Sequence, residues 1–150
     1  MESNIFSDIK CHSEIEALSY LNQFGVTKDS VEIWGTGTPL REFMWSEDMA
    51  AACIHIMEKI NFADLAKEHE VRNTHINIGT GEEISISDLA NLIAKEVEYK
   101  GKIVFNAHKP DGTPRKLTDI TKLKSLGFKH EVNLQEGIRK LIFWYLNQTK

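Results

Sequence analysis

Several features that would assign this 150-residue sequence to a particular class of protein are scarce or missing. Its two cysteines, Cys11 and Cys53, are too few for a disulfide framework and form no C-x-x-C pair. No apolar run approaches the roughly 20 residues needed to cross a bilayer, and the first residues show no charged-then-apolar signal pattern. We therefore expect a cytoplasmic protein without a membrane partner.

An excess of basic residues is also missing, since 18 Lys and Arg stand against 22 Asp and Glu, for a net charge of -4. That balance argues against nucleic acid as a partner. The six histidines show no H-x-x-x-H or similar spacing, so we expect no metal site. With 41% hydrophobic and 27% charged residues, the composition is that of an ordinary globular chain long enough for one domain.

Familiar catalytic motifs are not found in the sequence. There is no G-x-S-x-G, and none of Tyr20, Tyr99 and Tyr145 has the lysine four residues on that short-chain oxidoreductases use. His12 follows Cys11 but lies in no acid–base or thiol motif. We predict that this chain carries no catalytic residue and no cofactor-binding residue.

Strand-like and helix-like patterns alternate along the chain with short connections. The stretches "VEIW", "HINI" and "KIVFNA" predict strands, and helix starts are predicted at Ser13, Ser46, Ser85 and Asn133. In the helix after Ser46, the spacing predicts a buried face. That face consists of Met49, Cys53, Ile56, Met57 and Ile60. The pattern indicates a small α/β domain with a few-stranded sheet and helices, not a complete Rossmann domain, which needs about six strands.

The loop "WGTGTPLR" after the first predicted strand combines groups that suit ligand binding. Trp34 offers a flat apolar ring, the glycines allow close backbone approach, and Arg41 offers a fork of donors that matches phosphate. The alternative is a structural turn in which Trp34 belongs to the core and Arg41 pairs with Glu42 or Asp48. The residues alone leave both interpretations open.

Two further loops contain glycine. "HKPDGTPRK" sets Lys109, Arg115 and Lys116 against a single acid, Asp111, and its prolines lower the entropy cost of ordering, so it could hold a diphosphate or be a solvated surface loop. "NIGTGEE" looks like a phosphate turn before a helix. We interpret it as structural, because Ile84 replaces the third glycine of the dinucleotide fingerprint and the two glutamates would repel phosphate.

Three stretches, "VEIWGTGTPLREFMWSEDMAAACIHIME", "HINIGTGEEISISDLANLIAKEV" and "VFNAHKPDGTPRKLTDITKLKSLGF", together resemble the C-terminal part of the GDP-L-fucose synthase family. These enzymes are extended short-chain dehydrogenases/reductases of the NAD-dependent epimerase/dehydratase family. The resemblance implies conversion of GDP-4-keto-6-deoxy-mannose to GDP-L-fucose by double epimerisation and NADPH reduction. It further implies that Trp34, Arg41, Asp111, Arg115 and Lys116 bind the GDP-sugar substrate, Arg41 near the diphosphate, Asp111 and Lys116 from the second loop.

The same resemblance implies that important parts lie elsewhere. The family's NADP site and its catalytic residues belong to an N-terminal Rossmann half that has no counterpart here. We therefore expect a fragment without cofactor, inactive alone, from a parent enzyme that is a homodimer. Residues 1–30 are expected to be a peripheral helical insertion and 31–150 the substrate-binding domain. Two alternatives remain: the substrate domain of another nucleotide-sugar epimerase or dehydratase, and a ligand-free interaction module.

Overall fold

The computed structural model describes residues 13–66 and 73–148 of the chain. Helices and short strands alternate through these residues, which confirms the predicted α/β class. In chain order they are α1 (Glu14–Asn22), β1 (Ser30–Trp34), β2 (Leu40–Arg41), α2 (Ser46–Lys59), α3 (Phe62–Leu65), β3 (Ile84–Ser85), α4 (Ile86–Glu96), β4 (Lys102–Asn106), β5 (Arg115–Lys116), α5 (Thr121–Ser125) and α6 (Leu134–Gln148). Among them, none has the length and apolarity to span a membrane. The interpretation of Cys11 and His12 concerns positions outside the described residues.

Most helix starts follow the sequence signals. In α1, α4 and α6 a side-chain oxygen accepts a hydrogen bond from the backbone N–H three residues on, as predicted. The pairs are Ser13 with Glu16, Ser85 with Asp88, and Asn133 with Glu136, at 3.2, 2.9 and 2.9 Å. The prediction for α2 was wrong by one residue. Trp45 is its N-cap, Ser46 is already helical, and no side chain caps the helix.

Two small sheets bring two distant loops together. β1 and β4 pair in parallel over five residues, from Ser30 opposite Lys102 to Trp34 opposite Asn106. β2 lies between β3, which is antiparallel to it, and β5, which is parallel with Leu40 opposite Arg115. The loop 35–39 and the loop 107–114 therefore leave paired strand ends and enter paired strands, so they run side by side.

The strand predicted at "HINI" does not form in the described residues. Ile76 and Ile78 are half-buried while His75 and Asn77 are exposed, so the alternation of a strand is present. However, no described strand pairs with this segment. A ladder requires a neighbour, and the sequence pattern alone could not show whether this chain supplies one.

The core is small, and the buried side of α2 matches the predicted face only at Ile56 and Ile60, which are half-buried. Asp48 and Ala52 are buried, whereas Met49 is 45% and Met57 83% exposed and Cys53 is also exposed. The carboxylate of Asp48 accepts backbone hydrogen bonds from Glu131 (3.2 Å) and Val132 (2.9 Å), which turns this side of α2 inward. The remaining core side chains are Ile120, Leu123 and Val132.

The predicted division into an insertion at 1–30 and a domain at 31–150 stays a prediction. α1 falls within the first of these ranges and buries none of its residues. Its apolar side chains Ile15 and Phe24 are 80% and 62% exposed. The chain after α1 contacts β1 through a bridge between Val26 and Val31.

Candidate functional site

Asp111 fastens the two neighbouring loops to each other. Its Oδ1 accepts the backbone N–H of Thr36 at 2.8 Å and its Oδ2 accepts the Thr36 hydroxyl at 2.7 Å. Gly35 has a φ of +85°, and a Cβ there would lie 2.2 Å from Asp111 Oδ1, so only glycine lets the carboxylate reach Thr36. Asp111, one of the predicted substrate-binding residues, thus also holds the site's walls in place.

Trp34 lies at the mouth of the same pair of loops. Trp34 is 67% exposed, so the alternative that placed it in the core is wrong. Lys109, from the opposite loop, sets its Nζ 4.9 Å from the centre of the indole ring. A cation over an aromatic face is an attractive arrangement, and it brings a positive charge to the apolar wall.

Arg41 is fixed by backbone carbonyls. Its Nη1 donates to Leu40 O and to Thr113 O, both at 2.7 Å. Its Nη2 lies 2.8 Å from the position that a Cβ on Gly112 would take, so glycine makes room for the guanidinium beside the second loop. A guanidinium has five N–H donors, and among the described residues Nε and Nη2 make no hydrogen bond.

The alternative in which Arg41 pairs with Glu42 or Asp48 is wrong for the part of the chain that is described. Glu42 instead accepts hydrogen bonds from the N–H groups of Thr80 (2.7 Å), Gly81 (2.6 Å) and Thr118 (3.0 Å). Asp48 accepts those of Glu131 and Val132. Burial raises the pKa of Glu42, but hydrogen bonds from Thr118, Gly81 and Thr80 outweigh it, and the pKa lies below its ordinary value of 4.5.

Those hydrogen bonds confirm that the turn in "NIGTGEE" is structural. The N–H groups that a bound phosphate would use already hold the Glu42 carboxylate. A cofactor pyrophosphate therefore does not fit this turn. Within the described ranges, no group of three or more His, Cys, Asp or Glu side chains is placed to hold a metal ion either.

The two adjacent cations of β5 point in opposite directions. Lys116 is paired with Arg41 in the parallel register, and Arg115 with Leu40. Because side chains alternate along a strand, Lys116 and Arg41 share one face of the small sheet and Arg115 takes the other. There its Nε donates to both carboxylate oxygens of Glu83 at 2.9 Å, and this hydrogen bonding raises its pKa.

Comparison with known proteins identifies the family of the chain. Residues 13–79 match the NAD dependent epimerase/dehydratase family. A GDP-L-fucose synthase of Escherichia coli (strain K12) is 51% identical over 126 residues, which are 80% of this chain and 37% of that protein. The chain belongs to the NAD dependent epimerase/dehydratase family.

Two solved structures are similar to the chain in both sequence and fold. A GDP-6-OMe-4-keto-L-xylo-heptose reductase from C. jejuni is 45% identical with a TM-score of 0.89, over 98% of this chain and 43% of that one. A GDP-D-glycero-L-gluco-heptose synthase from Campylobacter jejuni, solved in the presence of NADPH, is 43% identical with a TM-score of 0.84, over 94% and 40%. The chain thus spans less than half the length of the relatives it matches.

In this epimerase/dehydratase chain, four of the five residues predicted from sequence belong to the loop face, which we define as Trp34, Lys109, Arg41, Asp111 and Lys116. Arg115 lies on the opposite face of the small sheet. Sequence reasoning missed Thr36 and Glu42, whose partners are 75 and 38 or more residues away. The sequence identified Lys109 as a cation of the second loop but not as a neighbour of Trp34. Its position two residues before Asp111 in the same short loop was the signal that could have placed it at the site.

Proposed function

We propose that this chain is the GDP-sugar-binding part of a GDP-L-fucose synthase or a close relative that converts GDP-4-keto-6-deoxy-mannose by double epimerisation and NADPH reduction. One observation carries the proposal: two loops 75 residues apart are fastened side by side by the hydrogen bonds between Thr36 and Asp111. They set an exposed indole beside Lys109 and lead into the paired strand residues Arg41 and Lys116. An aromatic ring and several cations are the groups that recognition of a nucleoside diphosphate uses.

Each residue of the loop face has a proposed part in holding the substrate. Trp34 packs against the flat face of a base or sugar ring, and Arg41 uses its free Nε and Nη2 donors on the diphosphate. Lys116, beside Arg41 in the register, adds the second positive charge. Asp111 fixes the loops. Arg115 would contribute to the same substrate only after leaving Glu83, so we assign it the smallest direct contribution.

The reacting groups belong, in this proposal, to the part of the relatives that the chain does not match. There lie the NADP site and the residues of hydride transfer, so the chain alone is inactive and the complete enzyme is a homodimer. The proposal that a neighbouring part covers this chain is supported by the outer face of α2. We define this face as Met49, Cys53, Ile54 and Met57. It is apolar and exposed, with Ile54 at 54% and Met57 at 83%.

Isothermal titration of the chain with GDP-mannose and with UDP-glucose tests the proposal. We expect GDP-mannose to bind with a dissociation constant on the order of 1 mM, about −4 kcal/mol, because half of the cleft is missing. UDP-glucose should bind more weakly. Stronger binding of UDP-glucose would assign the chain to another nucleotide-sugar enzyme.

A ligand-free interaction module is the second candidate, favoured by the exposed apolar side chains of α2. In that case neither nucleotide would bind. The double variant Arg41→Ala/Lys116→Ala would then behave as the wild type in every titration, whereas our proposal expects it to lose the heat of GDP-mannose binding.

A further inference from the structure

A single carboxylate joins three separate segments behind the loop face. Glu42 Oε1 accepts the N–H groups of Thr80 (2.7 Å) and Gly81 (2.6 Å), and Oε2 accepts that of Thr118 (3.0 Å). Glu42 directly follows Arg41 at the end of β2, and Thr118 comes two residues after Lys116 in β5. The carboxylate therefore ties together the strand ends that carry the two cations.

The turn at 79–81 has the shape of an anion site in its own right. Consecutive N–H groups converge where Gly81 adopts a φ of +74°, and such concave groups of N–H donors attract anions. A Cβ on Gly79 would lie 2.6 Å from Glu42 Oε1, so glycine leaves the space that the carboxylate occupies. The chain thus fills this turn with an anion of its own.

We infer that Glu42 is a positioning residue that acts as a built-in anion. Its carboxylate fixes Arg41 beside Lys116 by binding the turn and Thr118 together. By occupying the N–H groups of Thr80 and Gly81, it also keeps substrate phosphates out of the turn and directs them to the cation pair. The first role stands on geometry alone, and the second rests on the proposed function.

Chemical rescue separates this role from a general packing role. In Glu42→Ala the three N–H groups lose their acceptor, and we expect the melting temperature to fall by roughly 5–10 °C. Added formate, a free carboxylate, should restore part of that loss. It should also move the amide resonances of Thr80, Gly81 and Thr118 back toward their wild-type positions. Glu58→Ala, which removes an exposed glutamate of α2, is the matched control and should show no gain from formate.

The outcome that overturns the inference is a Glu42→Ala variant that formate stabilises no more than it stabilises Glu58→Ala. Should Glu42→Ala not fold, the wild type itself provides the test. As acid protonates Glu42, the amide resonances of Thr80, Gly81 and Thr118 should shift together with a common midpoint. Independent shifts, or none, would equally overturn the inference.

Binding measurements address the second role. Inorganic phosphate should shift the amide resonances of Thr80 and Gly81 in Glu42→Ala but not in the wild type. GDP affinity should fall about tenfold in Glu42→Gln, the factor that corresponds to about 1.4 kcal/mol. If the wild type binds no GDP while formate rescue holds, the proposed function fails and the positioning role stands. If GDP binds the wild type and Glu42→Gln equally, the second role is wrong.

Discussion

The loop face and the outer face of α2 are built in opposite ways. At the loop face, side chains from distant segments satisfy each other: Asp111 binds Thr36, Arg41 binds two carbonyls, and Lys109 covers Trp34. On the outer face of α2, the apolar side chains are exposed. The first face keeps its geometry through contacts between its own side chains and backbone groups. In our proposal the second face is covered by a neighbouring part of the parent enzyme.

The largest effect expected from this contrast concerns the outer face of α2. The double variant Ile54→Lys/Met57→Lys should lose association with the part of the Escherichia coli relative outside the aligned 126 residues. Burying each of these side chains contributes about 1.5–3 kcal/mol, so the affinity should fall by about a hundredfold or more. Sedimentation of mixtures of the two proteins measures it.

The same variant should leave the chain's own unfolding free energy within about 0.5 kcal/mol of the wild type, because both side chains are exposed. Glu58→Gln, on the same helix, is the control and should keep the association. A double variant that still associates would show that the outer face of α2 does not bind this partner, and the contrast between the two faces would be wrong.

The next effect in size is a difference in GDP affinity between variants of the two cations of β5. Lys116→Ala should weaken GDP binding by up to about tenfold, because it removes a charge beside Arg41. Arg115→Ala should change GDP affinity less than about twofold, since Arg115 lies on the opposite face of the small sheet and its guanidinium is bound to Glu83. Lys102→Ala, an exposed lysine of β4, serves as the control in the same titration. Equal losses for Lys116→Ala and Arg115→Ala would place Arg115 in the site.

The smallest effect is a pH dependence of stability that comes from Glu42, behind the loop face. The folded-state pKa of Glu42 lies below 4.5, so its carboxylate stabilises the fold above that value, and this contribution is lost as the pH falls through the folded pKa. Urea unfolding between about pH 3.5 and pH 6 should therefore show a smaller acid loss in Glu42→Gln than in the wild type.

Some acid dependence should remain in Glu42→Gln, because hydrogen bonds also lower the pKa values of Glu96 and Asp119. Identical acid profiles for Glu42→Gln and the wild type would mean that the carboxylate's hydrogen bonds do not form in solution. The outer face of α2 has no carboxylate bound in this way, so substitutions there should leave the profile unchanged.

Elements governed by nearby residues could be predicted, and contacts between distant residues could not. The caps at Ser13, Ser85 and Asn133 depend on an N–H three residues on, so the sequence signals located them correctly. The buried side of α2 depends on which segment packs against it. Apolar spacing selected Met49 and Met57, whereas Asp48 turned inward because it meets the N–H groups of Glu131 and Val132.

The same distinction between nearby and distant residues applies to the candidate site. The residue types of the two loops indicated an aromatic ring and several cations, and the resemblance named five binding residues, one of them the acid Asp111. Whether Trp34 was buried and which acid Arg41 would meet stayed open, because local sequence does not encode exposure or long-range partners. The different directions of Arg115 and Lys116 follow from their register with β2, which no pattern within the loop reveals.

By itself, the sequence determined the α/β class, the helix caps, the turn at 79–81 and the chemical groups of the two loops, because each depends on residues a few positions apart. Only the tertiary structure decided that Thr36 meets Asp111, that Glu42 fills the turn, and that α2 leaves Met57 exposed. Two of these contacts join segments 38 to 76 residues apart, and the exposure of Met57 depends on which distant segment packs against α2, so nearby residues encode none of them.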